Sequence, residues 1–146
     1  MQIEIKIDPS CKIPKIVIMT DTISEEVNTI VRKLSEDVPK VLTGFQEDVA
    51  EIIEPTEIFR FYANSGKVYA ITNKGEFVIR MRLYEIETQL QLPNFVRISN
   101  SEIINLKKVK NFDLSFTGTI CVTLLDGTVT YVSRRYVSKI KKILGI

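Results

Sequence analysis

The sequence predicts a mainly β protein with short helices, preceded by a small β-β-α segment. Three observations carry that expectation. After Gly44, apolar runs of four to six residues recur between turn-forming residues, which is the spacing of short antiparallel strands. Two of the connections, Asn73-Lys74-Gly75 and Asp126-Gly127, are hairpin signals. A 3.6-residue apolar period is sustained over roughly three turns in only one place, near the amino terminus.

Taken in order, Ile3, Ile5 and Ile7 alternate with polar residues and predict a strand, and Ile16-Val17-Ile18-Met19 predicts a second beyond Pro9 and Pro14. Thr22 and Glu25 have the spacing of a capping box. Ile23, Val27, Ile30, Val31 and Leu34 then form one apolar stripe of a helix that ends before Pro39. That stripe has two uses, packing on its own hairpin or pairing two copies of the chain. Strands are predicted over 58–62, 68–72 and 76–81. A short helix carrying Leu83, Ile86 and Leu90 stops at Pro93. Further strands are predicted over 95–98, 103–106, 112–116, 120–125 and 129–133. A last helical turn or two carries Val137, Ile140, Ile143 and Leu144. This divides the chain into a leader, 1–44, with a possible dimerisation role, and a body, 45–146.

The 146 residues carry a net charge of +2 that is unevenly spread. Residues 1–55 hold six Lys/Arg against eleven Asp/Glu, whereas residues 97–146 hold nine against three. A basic end suits a polyanion, and it is also what a solvated surface looks like. The chain has no His, which removes Ser-His-Asp and Cys-His nucleophile pairs and every His-ligated metal site. No Gly-rich phosphate loop or calcium loop is present, so neither an enzyme nor a cofactor or metal protein is expected. Cys11 and Cys121 lie too far apart in sequence to form a ligand pair. With no apolar run long enough for a span and no signal peptide, a reducing cytoplasm is expected.

A resemblance to a known family emerges at Phe95-Val96-Arg97-Ile98-Ser99-Asn100-Ser101, followed by Ile104-Asn105. This stretch resembles the phenylalanine-x-arginine-x-histidine-x-serine and valine-asparagine motif of the LytTR DNA-binding family. Three further segments match in order: the Ala63–Tyr69 hairpin, the short helix Leu83–Leu90, and Leu125-Asp126-Gly127-Thr128 leading to Ser133-Arg134-Arg135-Tyr136. The match covers roughly residues 45–146. It implies an elongated arrangement of small antiparallel sheets whose strand-end loops, in place of a recognition helix, enter successive major grooves.

Carried over by position, the base-edge candidates are Lys67, Ser99 with Asn100, and Arg135. Arg or Lys donates to guanine O6 and N7, and Asn pairs with adenine. Asn100 has a second possible use, closing its own turn. Arg97, Ser101, Asn105, Lys107, Lys108, Ser133 and Arg134 are the phosphate candidates, which fix register without reading sequence. Where many family members carry His and Arg before the serine, this chain has Ser99-Asn100, which changes the target sequence expected. Residues 1–44 are too short for the phosphoreceiver common in the family, and Asp21 lacks the supporting acidic cluster. The resemblance is therefore to stand-alone, response-regulator-like members. The expected partners are double-stranded DNA, a second copy of the chain and a membrane sensor, with no small-molecule substrate. A competing expectation is a protein-interaction module on the same scaffold that partners a sensor without reading DNA. A small-molecule-binding β domain has only the fold class in its favour.

Overall fold

A computed structural model describes residues 1–34, 41–90 and 92–146. The elements are α1 (Glu25–Leu34), β1 (Leu42–Gln46), β2 (Val49–Ile53), β3 (Ile58–Asn64), β4 (Lys67–Thr72), β5 (Gly75–Ile79), α2 (Leu83–Glu85), β6 (Phe95–Ser99), β7 (Glu102–Asn105), β8 (Val109–Asp113), β9 (Ile120–Leu124), β10 (Val129–Val132) and α3 (Arg134–Leu144). A wide helical turn, Ile86–Leu90, prolongs α2, and single tight turns at Pro55–Glu57 and Leu106–Lys108 lead into β3 and β8. Seven strands form one antiparallel sheet in the order β2-β1-β5-β4-β3-β7-β6, and β10-β9-β8 form a second. The mainly β expectation holds.

Two cores meet at β7. Ile103 packs with Ile58, Phe61, Phe77, Leu83 and Ile86 in the first core. Its neighbour Ile104 packs with Ile98, Ile120, Val122, Leu124 and Ile140 in the second. Successive strand residues point to opposite faces, so a strand covered on both sides reads as an unbroken buried run. Every residue of β7 is buried. Its two polar members are paired inside. Glu102 accepts from Arg60 Nη1 at 2.9 Å and from the Thr130 hydroxyl at 2.6 Å, joining β3, β7 and β10. Asn105 donates to the Ile58 carbonyl at 2.8 Å and accepts from the Lys107 N–H at 3.0 Å.

Several expectations are corrected. Residues 1–24 contain no strand. Ile3, Ile5 and Ile7 are 82–91% exposed, because alternation makes a strand only when another strand takes up its backbone N–H and C=O groups. The helix begins at Glu25, and its cap is Ser24, whose Oγ accepts from the Val27 N–H at 3.3 Å, so Thr22 does not cap it. The expected stop at Pro39 lies outside the described residues. Gly44, read as a break between segments, sits inside β1 and is buried. A Cβ there would overlap Ile53 Cδ1 and come within 2.7 Å of Phe77 Cβ, so the glycine is required by close packing. The hairpin β1–β2 was not predicted, and it carries Glu47, Asp48 and Glu51 on its exposed side, with Glu54 just beyond. Residues 1–34 hold five Lys/Arg and five Asp/Glu, so much of the acidity of the first 55 residues belongs to this sheet edge, not to the leader. Strand β8 ends at Asp113, earlier than expected. The closing helix runs eleven residues, ending at Gly145 in the left-handed conformation (φ 75°). Among the described residues no helix is long and apolar enough to cross a membrane.

Candidate nucleic-acid interface

Three turns carry the base-edge candidates, and local chemistry sets each of them. Between β3 and β4, Ser65 and Gly66 both have positive φ (51° and 77°), the conformation of a two-residue type I′ hairpin. Its geometry places Lys67, exposed, at the first position of β4 opposite Asn64. Between β6 and β7, Ser101 N–H donates to Ser99 Oγ at 3.2 Å. The third turn is the start of α3, where Arg134 and Arg135 are exposed in the first helical turn.

Arg97 determines the shape of the second turn. Its Nε donates to the Ser99 carbonyl and its Nη2 to the Asn100 carbonyl, both at 2.6 Å. Its Nη1 lies 3.4 Å from Glu87 Oε2, and the side chain is only 13% exposed. A planar guanidinium supplies these donors in fixed directions. Arg97 thus clamps the loop that presents Asn100, with its guanidinium engaged inside the protein.

The three turns are tied together by hydrogen bonds. β3 and β7 pair with Tyr62 opposite Glu102, which puts the β3–β4 and β6–β7 turns at one end of the sheet. The Ala63 N–H donates to the Ser101 carbonyl at 2.8 Å, across that end. On the other side, the Ser133 N–H donates to the Ile98 carbonyl at 2.9 Å, and the Tyr136 hydroxyl lies 3.4 Å from Asn100 Oδ1. The turns that carry Lys67, Ser99, Asn100, Ser101, Ser133, Arg134 and Arg135 are therefore linked to one another. Ser133 is half-buried and the rest are exposed, save half-buried Ser99.

Other expected contacts fall elsewhere. Asn105 is 3% exposed with both ends of its amide engaged, so it cannot reach a phosphate, and its role is to close the Leu106–Lys108 turn. Lys107 and Lys108 follow the far end of β7. At about 3.3 Å per residue, that is roughly 15 Å from the Asn100 turn. Lys108 lies over the Phe59 ring at 5.2 Å, and its carbonyl accepts from Leu125 beside the β9–β10 turn. Spacing alone could not show this, because it is the pairing of β7 as an extended strand that carries its two ends about 13 Å apart. Tyr136, which joins two of the turns, lies within the motif but has no role expected from its type. No charge or periodicity marks it. Among the described residues, no group of three or more His, Cys, Asp or Glu could hold a metal ion.

The family model described as the LytTr DNA-binding domain matches residues 49–145. The chain belongs to the LytTR DNA-binding family. Uncharacterized HTH-type transcriptional regulators of Staphylococcus aureus strains NCTC 8325 / PS 47 and COL are 35% identical to it over 124 residues, covering 84% of this chain and 84% of theirs. The relative from strain MRSA252 is 34% identical over the same span. A solved LytTr DNA-binding domain from Bacillus cereus superposes with a TM-score of 0.69, over 74% of this chain and all of that one, at 23% identity. That likeness is one of fold. Within the LytTR match, the surface built from the Lys67, Asn100 and Arg135 turns lies wholly inside the matched residues.

Proposed function

We propose that this LytTR chain is a transcription regulator that reads duplex DNA with the three linked turns, Lys67, Ser99 with Asn100, and Arg135 facing base edges in successive major grooves. The observation that carries this reading is the hydrogen-bonded connection of the turns through Ala63–Ser101, Ser133–Ile98 and Tyr136–Asn100. Groups that read bases gain discrimination when held in place before binding, and exposed side chains on a hydrogen-bonded frame meet that need. Ser101, Ser133 and Arg134 surround the readers and serve as phosphate contacts. A second copy of the chain on a neighbouring half-site completes the regulator, with α1 and the leader as the joining segment.

Fluorescence anisotropy on promoter duplexes across a salt series tests this reading. Specific sites should bind far more tightly than random duplex, with a steep negative dependence on salt. Arg135→Ala should cost about 1–3 kcal/mol on the specific site and relax preference at one base pair. Equal binding to every sequence, unchanged by Arg135→Ala, defeats the proposal. Sedimentation of the chain alone, giving monomer at all concentrations, removes the dimer.

A further inference from the structure

A concave cleft of about 940 Å³ lies between the β3–β4 turn, the connection from β5 to α2, and the β6–β7 turn. Small-molecule sites are commonly about 300–1,000 Å³, apolar within and polar at a few positions. This cleft has that arrangement. Partly buried Met81 and exposed Tyr84 supply an apolar floor over the buried Val68, Ile79 and Leu83. Lys67, Arg80 and Arg82 supply cations at the rim, all three exposed. None of the three has a carboxylate within 4.0 Å among the described residues, where the paired cations are Arg60, Lys74 and Arg97. The Arg80 guanidinium sits 3.8 Å from the Phe45 ring centroid, which holds it at the mouth. Two carboxylates also line the cleft, Glu47 and Glu85, and Glu85 accepts the Arg82 backbone N–H at 3.1 Å.

A DNA phosphate would use the rim and leave the floor wet. A molecule with an apolar body and one acidic group uses both, removing apolar surface from water while its charge meets unpaired guanidinium groups. We propose that the cleft binds a small organic anion of this kind, its ring or chain on Met81 and Tyr84 and its carboxylate, sulfonate or phosphate at Arg80 and Arg82. Lys67 and Asn100 are part of the wall, so the anion and DNA exclude one another. This second half rests on the DNA-reading role proposed above.

The probe is 8-anilinonaphthalene-1-sulfonate, with N-phenyl-1-naphthylamine, the same rings without the sulfonate, as its neutral counterpart. Both are titrated by fluorescence against the full chain without DNA. The sulfonate should bind one per chain and about tenfold more tightly than the neutral probe. Arg82→Ala should lower sulfonate affinity about tenfold and leave the neutral probe unchanged. Arg82→Lys should retain most of it, with circular dichroism unchanged in both variants. Equal affinity for the two probes, or indifference of the sulfonate to Arg82→Ala, overturns the anion site. Adding specific duplex to the loaded protein should release the sulfonate, and a stable ternary complex overturns the exclusion. If the chain binds no duplex at all, the DNA-reading role fails, and the DNA-free titration still decides the site.

Discussion

At the scale of single residues, Arg97 gives its guanidinium to the carbonyls of Ser99 and Asn100. A phosphate contact and a loop clamp predict different experiments. An Arg that neutralises a phosphate takes about one unit from the salt slope when removed. Arg97→Ala should weaken specific binding and leave the slope unaltered, because the residue orders Asn100 and displaces no counterion. A slope reduced by about one unit would return Arg97 to the phosphate role. Gly66 is a second residue whose reason is local. At φ 77° a Cβ is strained, so Gly66→Ala should lower stability by roughly 1–2 kcal/mol, measured by urea denaturation, although nothing lies within 4 Å to clash. Gly44→Ala acts differently. Its φ is ordinary, but the new methyl meets Ile53 and Phe77, and overpacking of this kind costs about 1–3 kcal/mol.

At the scale of elements, α3 carries a conflict that bears on function. Its first turn holds Arg134 and Arg135 and no acidic residue, with the positive end of the helix dipole beside them. Cations placed there lose about 0.3–1 kcal/mol apiece at low salt. Arg135→Glu should therefore raise the thermal midpoint slightly while abolishing specific DNA binding. A lowered midpoint would mean that Arg135 holds the fold together. At the end of β8, the Asp113 carboxyl is held below its usual value by the Ser115 hydroxyl and then by the Ser115 backbone N–H. A lowered folded-state value contributes stability above the ordinary carboxylate range, and that contribution is lost as pH falls through it. Amide exchange at Ser115 should accordingly lose protection on acidification, and Asp113→Asn should remove the pH dependence.

At the scale of the molecule, β7 is the shared wall of both cores, and Glu102 bonds β3 on one side and β10 on the other. Two cores that share a buried strand should unfold together. Calorimetry is expected to show one transition for the body, with the slowest amide exchange in β7. Two separated transitions would show that the sheets are independent. Glu102→Gln should destabilise the body, since it leaves Arg60, already with its Nε unpartnered, without its anionic partner.

The sequence by itself determined the class of the fold, most strands from Ile58 onward, and the positions of the three turns proposed to read DNA. Those signals are local: alternation, glycine at positive φ, and an ordered motif around Phe95–Asn105. Tertiary structure decided the rest, because the deciding partners are distant in the chain. The strands expected at Ile3–Ile7 and Ile16–Met19 pair with no other strand among the described residues, whereas β1 and β2, which were not expected, pair with each other and with β5. Asn105 and Arg97 have the side chains of phosphate binders, but Ile58 and the Ser99 and Asn100 carbonyls claim their hydrogen bonds. A residue's chemistry can be read from its type. Whether that chemistry is offered to DNA or consumed inside the protein depends on which backbone groups folding brings within about 3 Å of it.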